Sequence, residues 1–308
     1  MNRFLLFFTL MCCAAWSCTK EKTDYEAAID IVVPEYDDFN EVVRIRNGGY
    51  EVSIEALNGI FYKGYNEIRV KITSGQTQEI PTIQAVTFLP ILTEDDGNKT
   101  SGPHLHDLVY QTKEQYFSGY AVFPDASHTD RIWELYIRFT IANQTYQAKQ
   151  TVMVQEQPNK NLNMTSFTGS DNEQYFIALV SPQKPKVGEN ELIAGIYTFN
   201  KPTSPPTTAF PDPSQFSYTA VNDYTLLLDP RMPEPSMGNH SSPNNEDLTQ
   251  QSDGLYHGVV HYTMTGNWAL NFILLDQNGQ TIKGTAVPQD FTPGVEGIRS
   301  ELHLDILF

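Results

Sequence analysis

Trp133-Glu134-Leu135-Tyr136-Ile137-Arg138-Phe139-Thr140 and Trp268-Ala269-Leu270-Asn271-Phe272-Ile273-Leu274-Leu275 are the two stretches that decide the fold. Each starts on a tryptophan and repeats apolar residues at every second position, the period of a β-strand with one face on a core. In the first, Glu134, Arg138 and Thr140 give the strand a wet face. In the second, Ala269, Ile273 and Leu275 predict burial on both faces. Working outward, other landmarks recur in the same order. Tyr50-Glu51-Val52-Ser53-Ile54 answers to Tyr175-Phe176-Ile177-Ala178-Leu179, Gly64-Tyr65-Asn66-Glu67-Ile68 to Gly188-Glu189-Asn190-Glu191-Leu192, and Phe117-Ser118-Gly119 to Tyr256-His257-Gly258. The chain is therefore read as one unit written twice.

Composition agrees. Of 308 residues, 12% are aromatic and only 19% charged, with 19 Gly and 19 Pro, which suits strands and turns and rules out a coiled coil or helical bundle. Asn278-Gly279 predicts a tight hairpin turn, and the alternation Leu302, Leu304, Ile306 predicts a closing strand. The expected fold class is all-β: two tandem immunoglobulin-like antiparallel β-sandwiches, over 48–155 and 171–308. Pro202 to Pro213 reads as a long surface loop inside the second copy.

The start of the chain has a different character. Asn2-Arg3, an apolar run from Phe4 to Ala15 and then Ala15-Trp16-Ser17-Cys18 read as a secretory signal over 1–17, resembling the lipobox of bacterial lipoproteins. That resemblance implies a lipid on Cys18, a membrane partner through that anchor, and a place in the bacterial cell envelope at the outer membrane. An ordinary cleaved signal with an incidental Cys18 is the alternative. Residues 18–47, acidic and mostly polar, read as a tether. All three cysteines lie in the first eighteen residues, so the body is expected to hold no disulfide. A net charge of −17, from 20 Lys+Arg against 37 Asp+Glu, excludes a phosphate-neutralising surface, and no nucleic-acid partner is expected.

The densest constellation of chemistry-bearing residues is the loop Met232-Pro233-Glu234-Pro235-Ser236-Met237-Gly238-Asn239-His240. Two thioethers and an imidazole without any thiol suit Cu(I) rather than Ca²⁺ or Mg²⁺. The same residues also suit a hydrophobic staple across a proline loop. His257, His261 and Met264 follow downstream. Strand parity puts His257 and His261 on the outer face and packs Met264 with Trp268 in the core, so these are weaker ligands. In the first copy Leu92 stands at the place of Met232, and His104-Leu105-His106 is a further weak metal candidate. Glu94 to Asn98 lacks the twelve-residue calcium-loop pattern and reads as a solvated turn. No Gly-x-Ser-x-Gly, phosphate-binding glycine loop or His-Glu-x-x-His occurs, and no enzymatic activity is expected.

Lys186-Val187-Gly188-Glu189-Asn190-Glu191-Leu192, the Met232 to His240 loop, Asp253-Gly254-Leu255-Tyr256-His257-Gly258 and Thr263-Met264-Thr265-Gly266-Asn267-Trp268, taken together, resemble the YtkA-like or FixH-like envelope domain family over about 175–276. The resemblance implies an exported immunoglobulin-like sandwich, often associated with copper handling or copper-oxidase assembly, with Met232, Met237 and His240 facing the metal. The first copy keeps Gly64, Asn66, Gly119 and Trp133 but no methionines, and is expected to be degenerate. The alternative for the whole chain is a structural or interaction module that binds an envelope protein or a glycan without metal.

Overall fold

The computed structural model describes residues 38–158, 161–205 and 210–308. The expected signal, Cys18 and most of the tether lie outside the described residues. Among those residues there is no α-helix, and one 3-10 turn, Pro213–Phe216, is the helical element.

The first sandwich is built from β1 (Phe39–Asn47), β2 (Tyr50–Leu57), β3 (Phe61–Tyr62), β4 (Gly64–Ser74), β5 (Ile83–Glu94), β6 (Lys99–Thr100), β7 (Val109–Gln111), β8 (Tyr116–Phe123), β9 (Arg131–Ile141), β10 (Gln144–Val152) and β11 (Val154–Gln155). One sheet runs β1-β2-β4-β8-β7 and the other β10-β9-β5-β6, while β11 and β3 form a short parallel pair. Strand β4 shows why the sequence folds this way: from Gly64 its residues alternate buried and half-buried along almost its whole length. Its inward set, Ile68, Val70 and Ile72, packs with Phe88, Phe139 and Trp133 in one core.

The second sandwich comprises β12 (Met164–Thr168), β13 (Gln174–Ser181), β14 (Gly188–Phe199), β15 (Tyr218–Ala220), β16 (Thr225–Met232), β17 (His240–Ser241), β18 (Glu246–Gln250), β19 (Tyr256–Tyr262), β20 (Asn267–Leu275), β21 (Thr281–Lys283) and β22 (His303–Leu307). Here β18 pairs with both β19 and β16, so the two sheets are joined along one edge. Strand β20 is buried on both faces from Trp268 to Phe272, where the irregular segment that follows β21 supplies the second cover; of the outer residues expected to be buried, Ala269 is, while Ile273 and Leu275 are half-buried beyond that cover.

The duplication extends to hydrogen bonds. Gly64 pairs with Phe123 and Ile68 with Gly119, just as Gly188 pairs with Tyr262 and Leu192 with Gly258. Asn66 Nδ2 donates to the carbonyls of Tyr62 and Gly64 while its Oδ1 accepts from Tyr62 N. Asn190 makes the same three bonds with Lys186 and Gly188. Gly64 and Gly188 sit at φ +99° and +104°, a conformation that disfavours any side chain. Phe123 packs on Trp133 at 4.8 Å between ring centroids, and Tyr262 on Trp268 at 5.4 Å.

Three boundary readings are corrected. Residues 39–47, read as the end of the tether, form β1 on the edge of the first sheet, where a bulge between Glu41 and Val43 breaks the alternation that would have revealed a strand. The second unit starts at Met164 rather than 171, because β12 pairs with β13. At the end of the stretch read as a surface loop, Phe210, with Phe216 just beyond, lies against Leu89, Ile91 and Tyr136 on the outer face of β5 and β9.

The two units meet on a tyrosine-rich seam. Tyr120 stacks between Tyr65, at 5.6 Å, and Tyr197 of the second unit, at 5.4 Å, beside Val122, Phe176 and Ala178. The Tyr218 hydroxyl donates to the Ser101 carbonyl at 2.6 Å. Seam and loop together hold the first unit on both of its sheet faces.

Candidate metal centre

The end of β16 and β17 form a hairpin in which Met232 lies directly opposite His240. Cross-strand partners point to the same face of a sheet. Pro233, which has no N–H to give a ladder, ends β16. The turn closes through Met237 N donating to Glu234 O (2.9 Å) and His240 N donating to Met237 O (3.2 Å). Gly238 (φ +62°) and Asn239 (φ +53°) take the left-handed conformations that bring the chain back.

Met232 is 2% exposed and belongs to the core around Trp268. Its Cε lies 2.6 Å from where a Cβ on Gly266 would stand, so the bare glycine makes the methyl's place. Met237 is half-buried against the same cluster. The His240 ring sits 6.1 Å from the Trp268 ring, and its Nε2 is 2.8 Å from Thr263 Oγ1. Thr263 thus occupies Nε2, and Nδ1 is the other ring nitrogen. The structure thus sets Met232 opposite His240, with the His240 ring near Trp268 and Met237 packed against the same core cluster. Thioether sulfur and imidazole nitrogen are soft donors, which suit a soft monovalent ion rather than a hard dication.

The weaker candidates go elsewhere. Met264 does not pack in the core: β19 ends at Tyr262, the chain bends through 263–266, and strand parity no longer applies. Its side chain is exposed, and only its carbonyl is used, accepting from Trp268 Nε1 at 3.1 Å. His257 and His261 face outward as parity predicts. His257 lies between Asp253 (2.9 Å) and Glu191 (3.1 Å). Partial burial works against its charge, but the two carboxylates outweigh that and raise its pKa. His261 acts through its backbone, receiving Ser242 Oγ on its carbonyl and donating its N–H to Asn245 Oδ1.

His104 is buried at the seam, edge-on to Tyr218 at 6.2 Å, with Nδ1 2.8 Å from the Gly102 carbonyl. Burial pulls its pKa down to about 4, so it is neutral at ordinary pH. His106 turns instead to Asp107, 3.3 Å away. The two rings serve different partners. In the first unit Leu92 pairs with Trp133 and with Thr100, so leucine and threonine occupy the places of Met232 and His240. Among the described residues no group of three or more His, Cys, Asp or Glu side chains is arranged to hold a metal.

Sequence reasoning missed Glu234 and Asn239. Both are buried beneath residues 288–299, and only the Pro and Gly spacing of that irregular segment hints at a cover.

No protein-family model and no curated protein matches the chain. Among solved structures it is similar to a DUF4785 family protein of Legionella pneumophila, at 11% identity and a TM-score of 0.24, over 77% of this chain and 54% of that one. The chain therefore spans about half the length of that relative. It is similar as well to a conserved domain protein of Bacillus anthracis, at 11% identity and a TM-score of 0.27, over 89% and 92% of the two chains. A chimeric titin Z1Z2-Z1Z2 tandem aligns at 13% identity and a TM-score of 0.15, over 80% and 96%.

Proposed function

We propose that the protein is a non-enzymatic bacterial envelope module, anchored at the outer membrane by a lipid on Cys18, whose second sandwich binds Cu(I) through Met232, Met237 and His240 for metal handling or oxidase assembly. The observation that carries this reading is the cross-strand pairing of Met232 with His240 beside Trp268, with Met237 on the same cluster. The likeness of residues 175–276 to YtkA-like or FixH-like domains supports it as well. Thioether sulfur and imidazole supply soft donors to a metal that needs no charged ligand.

The test uses leucine because Leu92 fills the same place in the first unit. Anaerobic Cu(I) titration of the full-length protein against a competing chelator should give binding tighter than about 1 μM. Met232→Leu with Met237→Leu should abolish that binding while leaving the melting temperature nearly unchanged. Absence of binding, or binding that survives both substitutions, refutes the site.

The same equivalence of Leu92 and Met232 favours a second reading. In it Met232 is a core filler, and the two fixed sandwiches present a surface to an envelope protein or a glycan. Capture of that partner from intact envelopes would then be indifferent to chelators and to both leucine substitutions.

A further inference from the structure

The turn that carries Met237 and His240 has a second face, turned away from Trp268 and lined with oxygen. Glu234 is 6% exposed and Asn239 5% exposed. Glu234 Oε1 accepts from Asn267 Nδ2 at 2.6 Å, yet its Oε2 is buried without a hydrogen-bond partner. Asn239 Nδ2 donates to the Pro288 carbonyl at 3.0 Å, while its Oδ1 is also buried and unpartnered. That Oδ1 lies 2.6 Å from the position of a Cβ on Gly297, whose N–H donates to the Pro233 carbonyl at 2.6 Å. A buried carboxylate oxygen and a buried amide oxygen with nothing to receive are costly, and such atoms call for a proton donor or a cation.

The surrounding charges favour a cation. Arg299 Nη1 binds Glu296 at 2.6 Å, and its Nε is 3.4 Å from Asp305 Oδ1, which has no hydrogen bond. Glu234 lies within electrostatic reach of the same guanidinium. Three carboxylates therefore share one arginine. Asp305 stands opposite Ala269 on β20, two residues from Asn267, so Asp305 and the Asn267 partner of Glu234 share one face of that strand.

We propose that this patch, with Glu234 Oε2 and Asn239 Oδ1 as its inner ligands, is a site for a hard divalent cation of the Ca²⁺ class. All its donors are oxygen, and irregular coordination by carboxylate and amide oxygens suits Ca²⁺ better than Mg²⁺, which demands near-ideal octahedral geometry. The bound ion would tie residues 288–299 to the outer side of the hairpin. This site is independent of the copper reading, because its ligands lie on the other face of the turn and differ in chemical type.

Calorimetric titration of chelator-treated full-length protein with CaCl₂ tests it. One saturable site with a Kd of about 10⁻⁴ to 10⁻³ M is expected, the range of extracellular calcium modules. Glu234→Gln keeps an acceptor for Asn267, and Asn239→Gly keeps the left-handed backbone. Each should weaken Ca²⁺ by about tenfold or more while leaving Cu(I) affinity unchanged. On the wild-type protein, Ca²⁺ should also slow hydrogen exchange over residues 284–300. No saturable binding, equal affinity in both variants, or no change in exchange there overturns the proposal.

Discussion

Replacing Asn66 or Asn190 by alanine is a matched experiment, because the two residues make the same three hydrogen bonds in settings of different wetness. Each bond contributes about 1 kcal/mol net, so the shared loss is about 3 kcal/mol. In the second unit Lys186 is exposed and water can take over part of the bonding, which reduces the expected cost of Asn190→Ala to about 2 kcal/mol. In the first unit Tyr62 and Gly64 are buried beside the linker, and their freed groups stay dry. The desolvation penalty then adds to the loss, and Asn66→Ala is expected to cost about 4 to 5 kcal/mol. Urea denaturation followed by tryptophan fluorescence reads both, since Trp133 reports the first core and Trp268 the second. Equal costs, a larger cost for Asn190→Ala, or a cost under about 1 kcal/mol at either site would refute the reasoning.

Further outcomes follow from the seam and from two histidines. His104 is neutral when folded, with a pKa of about 4 against 6.5 for the free group. The unfolded chain therefore binds the extra proton, and stability should fall by about 1.4 kcal/mol per pH unit from 6.5 down to about 4; His104→Asn should flatten that slope in denaturation curves taken across the window. His257 works in the opposite sense: its pKa is raised, so its contribution is present below about 6.5 and is lost as pH rises through the folded value. His257→Gln should remove that dependence when melting temperature is compared between pH 6 and 9. Removing both half-buried rings of the clasp, Phe210→Ala with Phe216→Ala, should cost about 2 kcal/mol and let the two units melt in separate calorimetric transitions instead of one. A single unchanged transition would mean that the seam alone couples them.

The strands that carry the repeat were legible because their inward residues alternate strictly, as in β4 and in β9 after Trp133, and because each tryptophan anchors a register that both copies keep. The asparagines were legible as recurring positions, but a hydrogen-bond knot leaves no periodic signature. Strand β1 was hidden by its bulge, which sets Val42 and Val43 side by side. Met264 was misplaced because parity was carried past the end of β19 into a bend. The cover over residues 234–239 has no strand of its own, so periodicity is silent about it. Met232, Met237 and His240 were singled out by their closeness in one proline-rich loop. Their grouping around one indole needed the register that pairs Met232 with His240.

The division of labour between the units follows from what already occupies their faces. The outer side of β4 and β8 carries Tyr65, Tyr120 and Val122 into the seam, and the outer side of β5 and β9 carries Leu89, Ile91 and Tyr136 under Phe210 and Phe216. The first unit is committed on both faces to holding the second. In the second unit the seam falls on Tyr197 and Phe199 at one end of β14, whereas Trp268 packs on Tyr262, the partner of Gly188 at the other end. About nine strand residues separate them, roughly 30 Å along the chain. The Met/His hairpin is thereby set at a distance from the contacts that fix it in space, and a ligand can engage it without disturbing the seam. The sheet faces taken up by the seam and the loop are closed to other partners, and the hairpin and its cover stand apart from those contacts.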